Sequence, residues 1–132
     1  MPAAVAATVL AMAAPAAADW QTAGGGPVDQ NVRAPARNDG HAYDLKRIGG
    51  VLHVAWTDPV AGHDVVRVAR LADDGASWVP VGGVVNADPA REAGHPSLAE
   101  APDGTPWIAW TEEDVDGAFQ IRVAHPNGAG DD

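Results

Sequence analysis

Residues 35–58 of this chain return 54 positions later as residues 89–112, and nine of the 24 pairs so aligned are identical. Pro35, Ala36, Arg37, Gly40 and His41 meet Pro89, Ala90, Arg91, Gly94 and His95, while Gly50, Ala55, Trp56 and Thr57 meet Gly104, Ala109, Trp110 and Thr111. At an offset of 55, "VRVA" from Val66 meets "IRVA" from Ile121, and Gly75 meets Gly130. At an offset of 58, Trp20 meets Trp78; a Gly-Gly pair follows each (Gly24 and Gly25, Gly82 and Gly83), and then Asn31 and Asn86. A period just above 50 residues constrains the fold more than any other feature. One such unit cannot bury its apolar faces alone, so the copies must stack.

Inside the repeat the short period is two. Leu52, Val54 and Trp56 alternate with His53, Ala55 and Thr57, and Ile108 and Trp110 alternate with Trp107, Ala109 and Thr111. Both faces are partly apolar, which suits a sheet covered on two sides. Val66 and Val68 alternate with Arg67, as Ile121 and Val123 do with Arg122. Turn signals at Gly49-Gly50, Asp58-Pro59, Asp73-Asp74-Gly75 and Asp103-Gly104 separate these runs. The pattern predicts strands near 42–48, 51–58, 64–72 and 77–82, then 96–101, 105–112 and 118–125. The expected organisation is a signal-like segment 1–18, an entering strand and linker 19–34, a complete unit 35–87, and an incomplete unit 88–132. Gly130, Asp131 and Asp132 stand where Gly75, Ala76 and Ser77 precede Trp78, so the chain reads as a fragment of a longer array.

Composition narrows the functional classes. Eighteen acidic against eight basic residues give a net charge of −10, which disfavours a broad phosphate-neutralising surface and hence nucleic acid. Absence of cysteine removes disulfides, thiolate metal sites and a cysteine nucleophile. Residues 1–18 are uncharged and Ala-rich and end in the small-x-small pattern Ala16-Ala17-Ala18, which reads as an export signal cleaved before Asp19, although no Lys or Arg precedes Arg33. The expected location is secreted or cell-surface, with no membrane span.

The stretch "LADDGASW" (Leu71 to Trp78) resembles the Asp-box of bacterial sialidase-like β-propellers, Ser/Thr-x-Asp-x-Gly-x-Thr-Trp: Asp73, Gly75 and Trp78 match, Ser77 approximates the Thr, and Leu71 departs. "GHPSLA", "DGTPWIAWTE" and the Trp–Gly-Gly–Asn element are similar to repeats of secreted bacterial propellers. The resemblance implies an all-β fold of about two four-stranded antiparallel propeller blades. It also implies a structural role for the box, with Asp73 bonding turn backbone, Gly75 at positive φ and Trp78 packing beneath.

Candidate chemistry is thin. His41 and His95, with Arg37 and Arg91, recur at equivalent places and read as structural, like Trp56 and Trp110. His53, His63 and His125 lack ligand spacing, so neither a metal nor a cofactor is implied. Ser77 and Ser97 sit in no nucleophile elbow. Sialidases resemble one another in an Arg-Ile-Pro motif, an arginine triad and a Tyr–Glu pair; here Gly49 follows Arg47-Ile48 and Tyr43 is the only tyrosine. Positions that break the repeat are the ligand-contact candidates: Trp107, which replaces His53, and the acidic connection holding Glu112, Glu113, Asp114 and Asp116. The function expected is that of an exported, non-catalytic propeller fragment that binds or scaffolds. Alternatives are a sialidase-like glycosidase with its catalytic residues elsewhere and a short chain that assembles a propeller by oligomerisation. The expected partners are further blades or a second copy, with a glycan or surface protein beyond them.

Overall fold

The structure, a computed structural model, describes residues 43–127. Seven strands follow in order: β1 (Tyr43–Ile48), β2 (Val51–Val60), β3 (His63–Leu71), β4 (Trp78–Pro80), β5 (Ala93–Glu100), β6 (Pro106–Glu113) and β7 (Phe119–Ala124). They form two antiparallel meanders, a four-stranded sheet β1-β2-β3-β4 and a three-stranded sheet β5-β6-β7.

Turn chemistry explains the hairpins. Gly49 and Gly50 both take positive φ between the paired residues Ile48 and Val51, the geometry a two-residue turn needs to match strand twist. Ala61 and Gly62 do the same between Val60 and His63, with Ala61 at φ 50° carrying a strain that glycine would not. The longer turns share another pattern. The amides of Gly75, Gly104 and Gly117 donate to the carbonyls of Ala72, Ala101 and Asp114, and each glycine sits at positive φ. On β5 the step from Gly94 to Ser97 faces only the step from Thr111 to Ala109, a bulge that leaves His95 at φ 52°.

The layers meet through apolar faces. Ile48, Ala55, Val66 and Val68 of the first sheet pack with Ala93, Leu98, Ile108 and Trp110 of the second, and Val81, Val85 and Ala124 close the margin. Polar pins cross the layer. Leu98 N donates to Asp44 Oδ2 at 2.7 Å, Asp64 N to Glu92 Oε2 at 3.1 Å, and Val66 N to Asn86 Oδ1 at 2.8 Å. The hairpin ends also lie together, with Gly49 N donating to Glu100 Oε1 at 2.8 Å.

The two sheets stack head to tail, each burying the face that is not equivalent to the one its partner buries. In β2 the buried residues are His53, Ala55 and Thr57; in β6 they are Ile108, Trp110 and Glu112, which correspond to Val54, Trp56 and Asp58. Trp110 is therefore buried whereas Trp56 is half-buried, against the expectation that the two are alike. Register refines the alignment as well. Leu45 opposes Val54 and Leu98 opposes Ile108, so the equivalence runs 53 apart in the first strand, 54 in the second and 55 in the third, as Trp56 opposite Arg67 and Trp110 opposite Arg122 show.

The expected propeller blades are corrected here. The described residues form two open sheets, neither closed nor curled, stacked through one face each; they define no ring and no central axis. Among the described residues the second sheet has the three strands expected of the incomplete unit. The fourth strand of the first is shorter than expected because Gly82 turns the chain to φ 67° after Pro80.

Candidate functional site

The predicted site residues scatter. Arg37 and His41, like the whole of residues 1–34, lie outside the described residues. Arg91 holds Asp88 at 3.6 Å and its carbonyl accepts Asn86 Nδ2, which makes it part of the connection between sheets. His95 is exposed on the β5 bulge, with Nδ1 3.2 Å from Thr111 Oγ1. In the β3–β4 turn, Gly75 adopts φ 67° and the chain closes through Ala72 N to Ser77 O at 2.9 Å. The carboxylate that accepts a turn amide is that of Asp74, from Ala76 N at 2.8 Å, and not that of Asp73. A side-chain oxygen reaches the N–H two residues on, and only Asp74 stands two residues before Ala76. Trp78 lies opposite Leu71, half-buried.

The acidic connection after β6 divides into separate roles. Glu112 is buried and accepts three donors: Trp110 Nε1 at 2.7 Å, Ala87 N at 3.0 Å and Asp88 N at 2.9 Å. It ties the second sheet to the chain leaving the first. Glu113 continues the ladder, its amide donating to Glu92 O at 2.9 Å. Asp114 turns inward on its own loop and accepts Ala118 N, Asp116 N and Gln120 Nε2, while Asp116 is exposed. The Ala118 amide first, and then that of Asp116, hold the Asp114 carboxyl below the usual aspartate value. These oxygens serve the fold. Among the described residues no group of three or more His, Asp or Glu lies close enough to hold a metal ion.

Trp107 lies apart from that loop. Its ring centroid is 4.7 Å from that of His125, at 36° between planes. The pair sits at the mouth of a groove of about 470 Å³ between the sheets, lined also by His53, Arg70, Val81 and Val85. His53 turns Nδ1 towards its own strand, 3.1 Å from Val51 O. The groove is apolar-walled, and its histidines make no hydrogen bond to a carboxylate or to each other in the described residues.

A larger feature is the outer face of the second sheet. Register places Trp107, Ala109 and Thr111 of β6 beside His125, Val123 and Ile121, with Phe119 next along β7. Phe119 is 60% exposed, Ile121 78%, Val123 59% and Trp107 40%. β7 pairs with β6 alone, and among the described residues no strand occupies its other edge. The equivalent strand in the first sheet is covered there: Val81 N donates to Val68 O and Val85 N to Val66 O, both at 2.9 Å, and Asn86 caps Val66 N. Sequence reasoning singled out Trp107 and expected the strand from Phe119 to His125 to be an open edge, without naming the apolar residues that line this face. The signal was present in "FQIRVA", whose odd-numbered residues are all large and apolar.

Comparison with protein-family models, with curated proteins and with solved structures finds no match. Together with the two open sheets, this corrects the resemblance to Asp-box, sialidase-like propellers. The propeller-fragment function, the glycosidase and propeller-by-oligomerisation alternatives, and the carbohydrate binding drawn from that resemblance fall with it. Among the described residues no helix is long and apolar enough to cross a membrane.

Proposed function

We propose that the protein is an interaction module, working outside the cytoplasm, that receives a β-strand and an apolar sheet face from a protein partner at β7 and the outer face of the second sheet. The observation that carries this reading is the coincidence of two features on one strand. The side chains of Phe119, Ile121 and Val123 are exposed on one face of β7, and no strand occupies the outer edge of β7 in the described structure. Isolated exposed apolar residues are ordinary, but a contiguous set on an unpaired edge is a template for strand addition. The export component rests on the Ala-rich segment 1–18 and its Ala-x-Ala end.

The strand that complements β3 supplies a probe for β7. A synthetic peptide of residues 76–87 should slow amide exchange at Ile121 and Val123 of the full chain, and Ile121→Lys should abolish that protection. Unchanged exchange at β7 under saturating peptide would overturn the reading.

A further inference from the structure

We infer that the groove between the sheets, a site apart from the β7 edge, binds a small aromatic carboxylate that also carries an N–H or O–H donor. Its acid sits on Arg70, its donor on His53 Nε2 and its ring beside Trp107.

Charge distribution selects the acid. The chain carries eighteen acidic against eight basic residues, yet Arg70, His53 and His125 line the groove and no Asp or Glu does. Arg70 is half-buried and makes no hydrogen bond or ion pair among the described residues, whereas Arg67 and Arg91 hold Asp58 and Asp88. Register sets Lys46, His53 and Arg70 opposite one another across three strands, so all three share the face turned towards the second sheet. A row of basic groups with no acid among them attracts an anion. Asp103 lies within electrostatic reach of His125, but it stands outside the groove lining and its carboxylate accepts Thr105 N. The guanidinium of Arg70, at the margin of an apolar wall, can hold a carboxylate through two parallel N–H bonds.

The buried histidine selects the donor. His53 is 6% exposed, and its Nδ1 lies 3.1 Å from Val51 O. A carbonyl oxygen only accepts, so in that bond the proton is on Nδ1, and the neutral ring keeps a lone pair on Nε2. No group of the described structure donates to that nitrogen. A ligand N–H or O–H completes it, since an acceptor so nearly buried has little access to water.

The walls select the aromatic body. Val68, Val85, Leu98 and Ile108 supply apolar surface, and Trp107, braced against the His125 ring, adds a flat face at the mouth. The volume of about 470 Å³ falls in the range of small-molecule sites, about 300–1,000 Å³, in which a few polar groups on apolar walls fix the ligand's orientation.

Titration of indole-3-acetate into the full chain, followed by arginine and histidine side-chain NMR, tests the inference. Saturable shifts are expected at Arg70 and His53, with a dissociation constant of about 0.1 mM. Indole-3-acetamide, which lacks the charge, should bind about tenfold more weakly. The naphthalene analogue, 1-naphthaleneacetate, keeps the shape and the charge but has no N–H, and should bind about fivefold more weakly. Arg70→Gln should lower the affinity for the acid to that for the amide. Both ligand comparisons use the unaltered protein, so they decide the matter even if that variant fails to fold. Absence of a saturable shift, equal affinity in either comparison, or undiminished binding by a folded Arg70→Gln chain overturns the inference.

Discussion

The two copies of the Trp-Thr-acid motif use their carboxylates differently. In the second sheet, Glu112 reaches back to Trp110 Nε1 and also takes the amides of Ala87 and Asp88. In the first, Asp58 takes Arg67 Nε at 2.8 Å, and Trp56 Nε1 is buried with no partner. Arg122, the counterpart of Arg67, is left with a buried, unpartnered Nε instead. One methylene separates Asp from Glu. The longer acid spans the two-residue step along its strand to the indole and crosses to the neighbouring chain; the shorter one engages the cross-strand arginine. Near-identical sequence thus gives a buried anchor in one sheet and a partly exposed ion pair in the other; among the described residues, only the second sheet turns that face towards another layer.

The largest effect of that asymmetry should appear at the tryptophans. Trp110→Ala, within the closed core, should cost about 3–5 kcal/mol in denaturant unfolding, and Trp56→Ala should cost clearly less. Equal losses would mean that the two faces are buried alike. Glu112→Ala should follow at about 3 kcal/mol, since it strands a buried indole N–H and removes the acceptor of two part-buried backbone amides. The Asp58–Arg67 pair, partly open to water, should contribute about 1 kcal/mol or less in a double-mutant cycle.

The exposed face sharpens the contrast further. Ile121→Lys should shift the stability of the monomer by less than about 0.5 kcal/mol. The equivalent Val66→Lys buries an unpaired ammonium and should prevent folding, as circular dichroism would report. Asp58→Glu should be a small change of opposite sign, a gain of about 0.5–1 kcal/mol if the longer acid reaches Trp56 Nε1. A crystal structure of that variant checks the new bond.

Acid should loosen two of the turns. The Asp103 carboxyl is held below its usual value by the Thr105 hydroxyl and then its amide, and that of Asp114 by the amides of Ala118 and Asp116. A depressed folded value means that the contribution is present above the ordinary aspartate range and is lost as pH falls through the folded value. Carboxyl NMR titration should place both midpoints below the unfolded reference, with the Gln120 side-chain amide shifting along with Asp114.

Much of the local structure was legible. Alternation around Trp56 and Trp110 located β2 and β6, and the Gly-bearing turns located the hairpin ends, because strand period and positive φ are properties of the backbone near each residue. The failures were tertiary. The roles within the acidic connection could not be separated, since only the packed structure shows that Glu112 ends the buried face of β6 while Asp114 closes the turn after it. How far the face formed by Phe119, Ile121 and Val123 is exposed could not be read from its pattern, since alternation reveals that a face is apolar but not whether a layer covers it.

The chain's own order of residues determined that this is an all-β repeat, where its strands and tight turns fall, and which residues share a face. Only the tertiary structure decided that the sheets stack head to tail, burying the His53 side of one and the Trp110 side of the other. It also decided that the layers stay open and that the far face of the second sheet remains exposed. Periodicity is written in bonds between neighbouring residues, whereas burial depends on which distant surface arrives, and two faces of similar apolarity give a sequence no means to say which one will be covered.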